Sequence, residues 1–328
     1  MNTPLNIGAR LFALTAALLF TAPTLAQDAY PSRPIKIIVP FSAGGGNDIV
    51  ARLIGEEIRK ALGQVVTVEN QPGASTMIGT RSVIKSPPNG YTLLVADGAM
   101  AINPLLFKDM DYDWDRDLAP ITLLVRVPNV LTVHAELPIR NMQELVAYAK
   151  THDIAYSSSG TGNANHLSGE LINKLAGTKI NHIPYKGVAP QLADVAAGHV
   201  AMTFASIGAS LPFIRGGKAR PIAVSSTTRV SILPDVPTVA ETPMFAGFDI
   251  SNYFGFFAPA NLPEPIMKKL NETVTKALMT PEISSKLKQM GFEPSPMSPE
   301  GFRAFIRTEA KRYERTVIEA KVKLENVK

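Results

Sequence analysis

The sequence predicts an α/β fold built as two lobes, two α/β domains joined by two crossing strands around a hinge and a central cleft. Three observations predict it. Apolar strand-like runs alternate with amphipathic helical stretches, the pattern of helices layered on mostly parallel sheets. Two strands end in glycine-rich loops that open directly into helices, at Ala43–Asp48 and Ser158–Asn163. Two apolar stretches, Ile121–Val133 and Ile250–Ala258, are placed to carry the chain from one domain to the other and back.

Residues 1–26 read as a secretory signal: Arg10, an apolar run from Leu11 to Thr21, then Pro23 and the small-x-small site Thr24, Leu25, Ala26. The run is shorter than the roughly 20 residues that span a bilayer. This places a mature chain of 302 residues in the periplasm. Ile35–Pro40 is then a continuous apolar strand, followed by a helix from about Asp48 to Leu62 closed by Gly63. Val65–Val68 is a second strand. Gly73–Gly79 turns into a helix, Tyr91–Ala96 is a third strand, and Asp97, Gly98 and Ala99 open a loop. Pro128 and Asn129 break the first crossing stretch. Asn141 and Glu144 form a capping box for a helix to about Lys150. In the second domain, strands are expected at Ile154–Ser157, at a strand ending in Ile183–Gly187, at Val200–Phe204 and at Pro221–Ser225, with a helix after each of the first two. Helices over about 264–279, 281–290 and Ser298 to 324 finish the chain and return to the first domain. The expected domains are residues 27–127 with 251–328, and residues 128–250.

Composition excludes several classes. The chain is 45% hydrophobic and 19% charged, with a formal charge of +5 that becomes +4 without Arg10. No run of basic residues marks a nucleic-acid surface. There is no cysteine, hence no disulfide, thiolate nucleophile or cysteine metal site. The histidines His134, His152, His166, His182 and His199 show no metal-ligand spacing, so neither a metal nor a cofactor is expected. The glycine loops match neither a P-loop, nor Gly-x-Gly-x-x-Gly, nor a nucleophile elbow.

What the loops do offer is anion capture. A strand, a glycine-rich turn and a bare helix N-terminus present unpaired N–H groups at the positive end of the helix. One such loop in each domain gives two cradles facing across the cleft, which suits a carboxylate or dicarboxylate. His166, in the first turn of the second-loop helix, is a site-lining donor or loop brace; a hydrolase would pair it with Ser157, Ser158 or Ser159 and Asp48. Tyr185 and Lys186 end a strand, the first as a pocket wall and the second as a carboxylate partner. Tyr253 and Phe254 are candidates for an aromatic wall.

The ordered segments Pro40–Asp48 with Ala51 and Arg52, Asn70–Ala74, Pro88–Leu93, Ala101–Pro104, Ser159–Gly162 with His166, Pro184–Gly187, Leu233–Thr238 and Phe254–Pro259 resemble the Bug-type solute receptors of tripartite tricarboxylate transporters. The resemblance implies a type II-like periplasmic binding protein that is not an enzyme. It implies a ligand carboxylate held by backbone amides and bridging waters of the first loop, the other end held by Ser158–Asn165, and delivery to a two-protein membrane permease. Many relatives carry an Asp after the strand matching Val200–Phe204; here Ala205 follows, which disfavours an amino-acid ligand. Asn165 stands where many relatives have a small residue. Ala99 and Met100 leave room for an aromatic or longer aliphatic acid. Candidate ligand-binding residues are Phe41, Ser42, Ala43, Gly44, Gly45, Gly46, Asn47 and Asp48; Ser158, Ser159, Gly160, Thr161, Gly162, Asn165 and His166; and Ala99, Tyr185 and Ala205. The expected receptor is a monomer serving the permease or, as an alternative, a sensor kinase.

Overall fold

The computed structural model describes residues 30–108, 110–320 and 322; the export signal read over residues 1–26 lies outside them. The chain runs through β1 (Ile35–Val39), α1 (Gly46–Leu62), β2 (Val66–Asn70), α2 (Met77–Ile84), β3 (Thr92–Asp97), α3 (Ala99–Leu106), the single turn α4 (Trp114–Asp117) and β4 (Leu118–Val127). Past Pro128 it forms β5 (Asn129–His134), α5 (Met142–Ala149), β6 (Ala155–Ser158), α6 (Ala164–Ala176), β7 (Asn181–Pro184), α7 (Val188–Ala196), β8 (Met202–Ser206), α8 (Ile207–Arg215) and β9 (Ala219–Val224). It ends with β10 (Asn252–Pro259), α9 (Glu264–Met279), α10 (Pro281–Gln289), β11 (Glu293–Pro294) and α11 (Pro299–Ala320). No helix among the described residues is long and apolar enough to cross a membrane.

Two mixed sheets result, in the orders β11-β4-β10-β3-β1-β2 and β7-β6-β8-β5-β9. They are not mostly parallel, as the sequence led us to expect, and the reason is the crossing itself. β1 runs parallel to β2 and β3, and β6 to β7 and β8. All of these strands end at the cleft. β4 also ends there, so the chain that crosses enters β5 from the cleft side and runs against β8 and β9. β10 enters the first sheet the same way, against β3 and β4. The βα loops of both sheets therefore gather at one place.

The crossings are tied together. Asn129 N–H donates to Ser225 Oγ, Ser225 N–H to the Asn129 carbonyl, and Ile250 N–H to the Ser225 carbonyl. The second crossing lies before β10, which belongs wholly to the first sheet, rather than spanning Ile250–Ala258. Two helices depart from expectation. Ala99 begins α3 instead of a loop, and α8 forms despite Gly208 and Pro212, because its Ile207 and Leu211 are buried against β5 and β9. The capping box at α5 is half formed: Asn141 Oδ1 accepts from Glu144 N–H, but the Glu144 carboxylate takes the Arg140 N–H instead of that of Asn141. The last helix packs on both lobes, against α3 and β4 of one and α6 of the other.

Candidate functional site

The first loop turns at Gly44, whose φ of 82° favours glycine, and Gly45 caps α1 with extended backbone and no side chain. Among the described residues, the N–H groups of Gly45, Gly46 and Asn47 find no acceptor in the chain. Asp48 holds this geometry. Its carboxylate accepts from Gly44 N–H at 3.0 Å, Arg52 Nε at 3.0 Å and Asn70 Nδ2 at 3.0 Å. Burial pushes the Asp48 carboxyl up, but these donors together hold it below the usual carboxylate range.

The opposite lobe meets this loop closely. Ser42 donates from N and Oγ to the Lys186 carbonyl, at 3.1 and 3.0 Å. A Cβ at Gly46 would stand 2.8 Å from Ser206 Oγ, at the N-terminus of α8. Among the described residues that buried hydroxyl has no hydrogen-bond partner, and neither has the buried Oδ1 of Asn47. Between the lobes lies an enclosed cavity of about 10 Å³, lined from the first lobe by Phe41, Gly45, Gly46, Asn47, Asp97, Asn252 and Phe254, and from the second by Asn129, Ser159, Asn165, Val188 and Ser206. Its one ionisable side chain is Asp97, which is 2% exposed. Asp97 Oδ1 accepts from Ala99 N–H at 2.9 Å and Oδ2 from Asn252 Nδ2 at 3.0 Å. Burial pushes its carboxyl above the usual range despite those donors. An outer chamber of about 340 Å³ meets the cavity at Ser159 and runs between the turn Gly73–Met77 and residues Gly160, Thr161 and Pro184–Lys186. That turn is held by Asn103 Nδ2, which donates to the Ser75 carbonyl, with Ala74, Ser75 and Thr76 all at positive φ. A larger surface groove of about 480 Å³ beside Ser231, Met279 and Lys288 lies away from the cleft.

The candidates thus divide. Phe41, Gly45, Gly46, Asn47, Ser159 and Asn165 line the cavity, and Gly160, Thr161 and Tyr185 line the outer chamber. Ser42 bridges the lobes, Ala43 and Gly44 shape the turn, and Asp48 braces it. Ala99 serves through its N–H to Asp97. Ala205 packs under Leu192 and Ala209, away from the cavity, because alternation along β8 turns Ser206 inward. Tyr185 donates its hydroxyl to Asp194. Sequence reading missed Asp97, Asn129, Val188, Ser206 and Asn252 as lining residues, and saw the turn at Ala74–Thr76 without its place on the outer chamber.

The second loop is braced from beneath. Gly162 N–H donates to His166 Nδ1, the His166 ring stacks on His182 at 4.2 Å, and His182 Nε2 pairs with Ser158 Oγ at 2.7 Å. The triad imagined around His166 does not form: its ring faces His182, Ser158 is fully buried, and Asp48 sits across the cleft on Arg52. Burial first, and the His182 ring second, lower His166 to about 3; burial lowers His182 to about 4. Both folded values lie below the unfolded value near 6.5, so stability is complete at pH 7. It falls as pH drops from about 6.5 toward 4, where the unfolded chain alone takes protons. Each ring is expected to cost about 2 kcal/mol at pH 5. Melting midpoints should drop between pH 7 and 5, and His182→Gln should flatten the profile; a flat wild-type profile would refute the buried neutral pair.

Among the described residues no group of His, Asp and Glu is arranged to hold a metal ion. A model of the tripartite tricarboxylate transporter family receptor matches residues 50–322. The chain is 34% identical over 318 residues to the protein BugT of Bordetella pertussis, covering 96% of each. The solved structure of R. palustris Rpa4515 with adipate matches with a TM-score of 0.88 at 34% identity, over 90% of this chain and 100% of that one. MatC from Rhodopseudomonas palustris with bound malate gives a TM-score of 0.83 at 31% identity, over 88% and 100%. The matched length and the identity across nearly the whole chain establish that this protein belongs to the receptor family of tripartite tricarboxylate transporters.

Proposed function

We propose that this protein is a periplasmic receptor that captures a small organic carboxylate between its lobes and delivers it to a tripartite tricarboxylate-type membrane permease, without chemical turnover. One observation carries the reading: three unaccepted N–H groups at the N-terminus of α1 converge on an enclosed cavity that no basic side chain lines. A carboxylate is the natural complement of such a cradle, held by N–H donors and the helix dipole. The likeness to proteins holding adipate and malate supports the ligand class. A cavity of about 10 Å³ has room for about one water. Entry of an organic acid therefore requires the lobes to part, and the tied crossings at Asn129, Ser225 and Ile250 are where a hinge acts.

Thermal melts of the mature protein against mono-, di- and tricarboxylates, aromatic acids included, test this. A ligand at about 100 times its Kd adds about 2.7 kcal/mol. The midpoint should rise by several degrees with one chemical subset, and Gly45→Pro, which removes a cradle N–H, should erase the shift. A panel without any shift would refute carboxylate capture.

A further inference from the structure

One wall of the cavity is held from behind the hinge. A second chamber of about 430 Å³ lies on the far side of the crossings, between Pro128, Ser226 and Asp249 on one side and Arg126 of β4 and Phe305 of α11 on the other. Asn252 lines this chamber and the ligand cavity alike, so it stands in the wall between them. Its side chain builds that wall: Nδ2 donates to Asp97 Oδ2 at 3.0 Å, and Oδ1 accepts from Gly98 N–H at 3.1 Å. Asn252 is the first residue of β10. It pairs with Val127 of β4, but the register with β3 begins only at Phe254.

What fixes the backbone leading into Asn252 is α11. Arg312 Nη1 donates to Asp249 Oδ2 at 2.9 Å and to the Asp249 carbonyl at 3.2 Å. Its Nη2 donates to the Ser251 carbonyl at 3.4 Å and to the Glu309 carboxylate. The Tyr313 hydroxyl donates to the same Ser251 carbonyl at 3.2 Å. That carbonyl shares a planar peptide unit with the Asn252 N–H, so two donors fix the plane from which the Asn252 side chain departs. Tyr313 also backs the other half of the wall: a Cβ on Gly98, next to Asp97, would stand 2.7 Å from its hydroxyl oxygen.

We propose that Arg312, with Tyr313, is a positioning residue for ligand capture: it holds the second crossing to α11 and so places Asn252 and Asp97 on the cavity, while itself lining only the chamber behind. The inference rests on the carboxylate reading above and adds to it the residues that hold the cavity wall. An ion pair kept for stability alone needs only opposite charges. Arg312 instead spreads a planar fork over two backbone carbonyls as well as two carboxylates, and those carbonyls belong to the segment that joins the lobes. Ile250, between them, is bonded to Ser225, so the fork fixes both tied crossings to α11. Lysine would keep the charge beside Asp249 and Glu309 but could not reproduce the fork.

Calorimetry on the mature protein tests this. The probe is whichever of succinate, malate, adipate, glutamate, benzoate and citrate binds the wild type most tightly. Arg312→Lys should weaken it by about tenfold, through loss of the charge-assisted bonds to the crossing, and Tyr313→Phe by about threefold, through loss of one neutral bond. Titrations run well below each variant's melting midpoint, so a loss of stability alone leaves Kd unmoved. Asn252→Ala supplies the deciding background. Because Arg312 acts through Asn252, adding Arg312→Lys to that variant should weaken binding by less than about twofold further. Hydrogen exchange of the ligand-free protein gives a second readout: Arg312→Lys should speed exchange over residues 250–254 more than in the rest of β10. Wild-type Kd in a folded Arg312→Lys overturns the positioning role and leaves carboxylate capture standing, as does full additivity with Asn252→Ala. Should Arg312→Lys not fold, Tyr313→Phe decides by the same readouts. A wild type that binds none of the six acids refutes carboxylate capture and this inference together.

Discussion

Gly46→Ala is expected to destroy tight ligand capture while leaving the ligand-free protein folded. Gly46 is the first residue of α1, where helical backbone suits alanine as well as glycine. The added Cβ, however, would meet Ser206 Oγ at 2.8 Å and Phe254 Cζ at 2.9 Å. Ser206 belongs to the other lobe, so its clash exists only when the lobes close. Phe254 belongs to the same lobe, and its ring end must tilt toward Phe292, whose ring lies 5.8 Å away. Overpacking of this kind costs about 1–3 kcal/mol. Charged against closure, that is a loss of roughly 5- to 150-fold in affinity. Calorimetry with the tightest wild-type ligand measures the loss, and a ligand-free melt isolates the Phe254 share. Small-angle scattering should show the wild type compacting with ligand and the variant staying open. Adding Ser206→Ala removes the Oγ and should recover compaction in part. Wild-type affinity in Gly46→Ala would show that the lobes do not close on this contact.

The first cradle was legible because everything it needs is contiguous. Pro40 to Asp48 carries the strand end, the glycines and the helix start in one stretch, and Asp48 braces its own loop. The Asp97 side of the cavity was not legible because it is assembled by topology. Asp97 faces Asn252 only because β10 runs back into the first sheet with Phe254 opposite Asp97, across 155 residues of chain. Read locally, Asp97, Gly98 and Ala99 are a turn. Ser206 was missed by one residue: the strand was recognised, but which of two successive side chains faces the cleft depends on the pleat and register, fixed here by pairing Asn129 with Ser206. The brace under the second loop has the same origin. His182 reaches Ser158 because β6 and β7 pair in parallel, so the partner of that serine lies a whole helix downstream of it.

Phe302→Ala is expected to produce the largest loss of stability. Phe302 is fully buried in the first turn of α11, with its ring 5.1 Å from Phe257 and 6.3 Å from Tyr253. The ring occupies the space above Gly255, where a Cβ would lie 2.2 Å from its Cζ. Gly255 is thus the socket in β10, and Phe302 the plug that seats a helix touching both lobes. Truncating a buried Phe costs about 3–5 kcal/mol, a drop of roughly 10 °C for a protein of this size. Gly255→Ala fills the socket while the plug is still present, so it should destabilise on its own by about 1–3 kcal/mol. The double variant decides whether the two residues are one device. If they are, alanine at 255 partly occupies the hole left at 302, and the combined loss falls short of the sum of the single losses. Strict additivity of the melting shifts would mean that Phe302 anchors α11 through its aromatic neighbours alone.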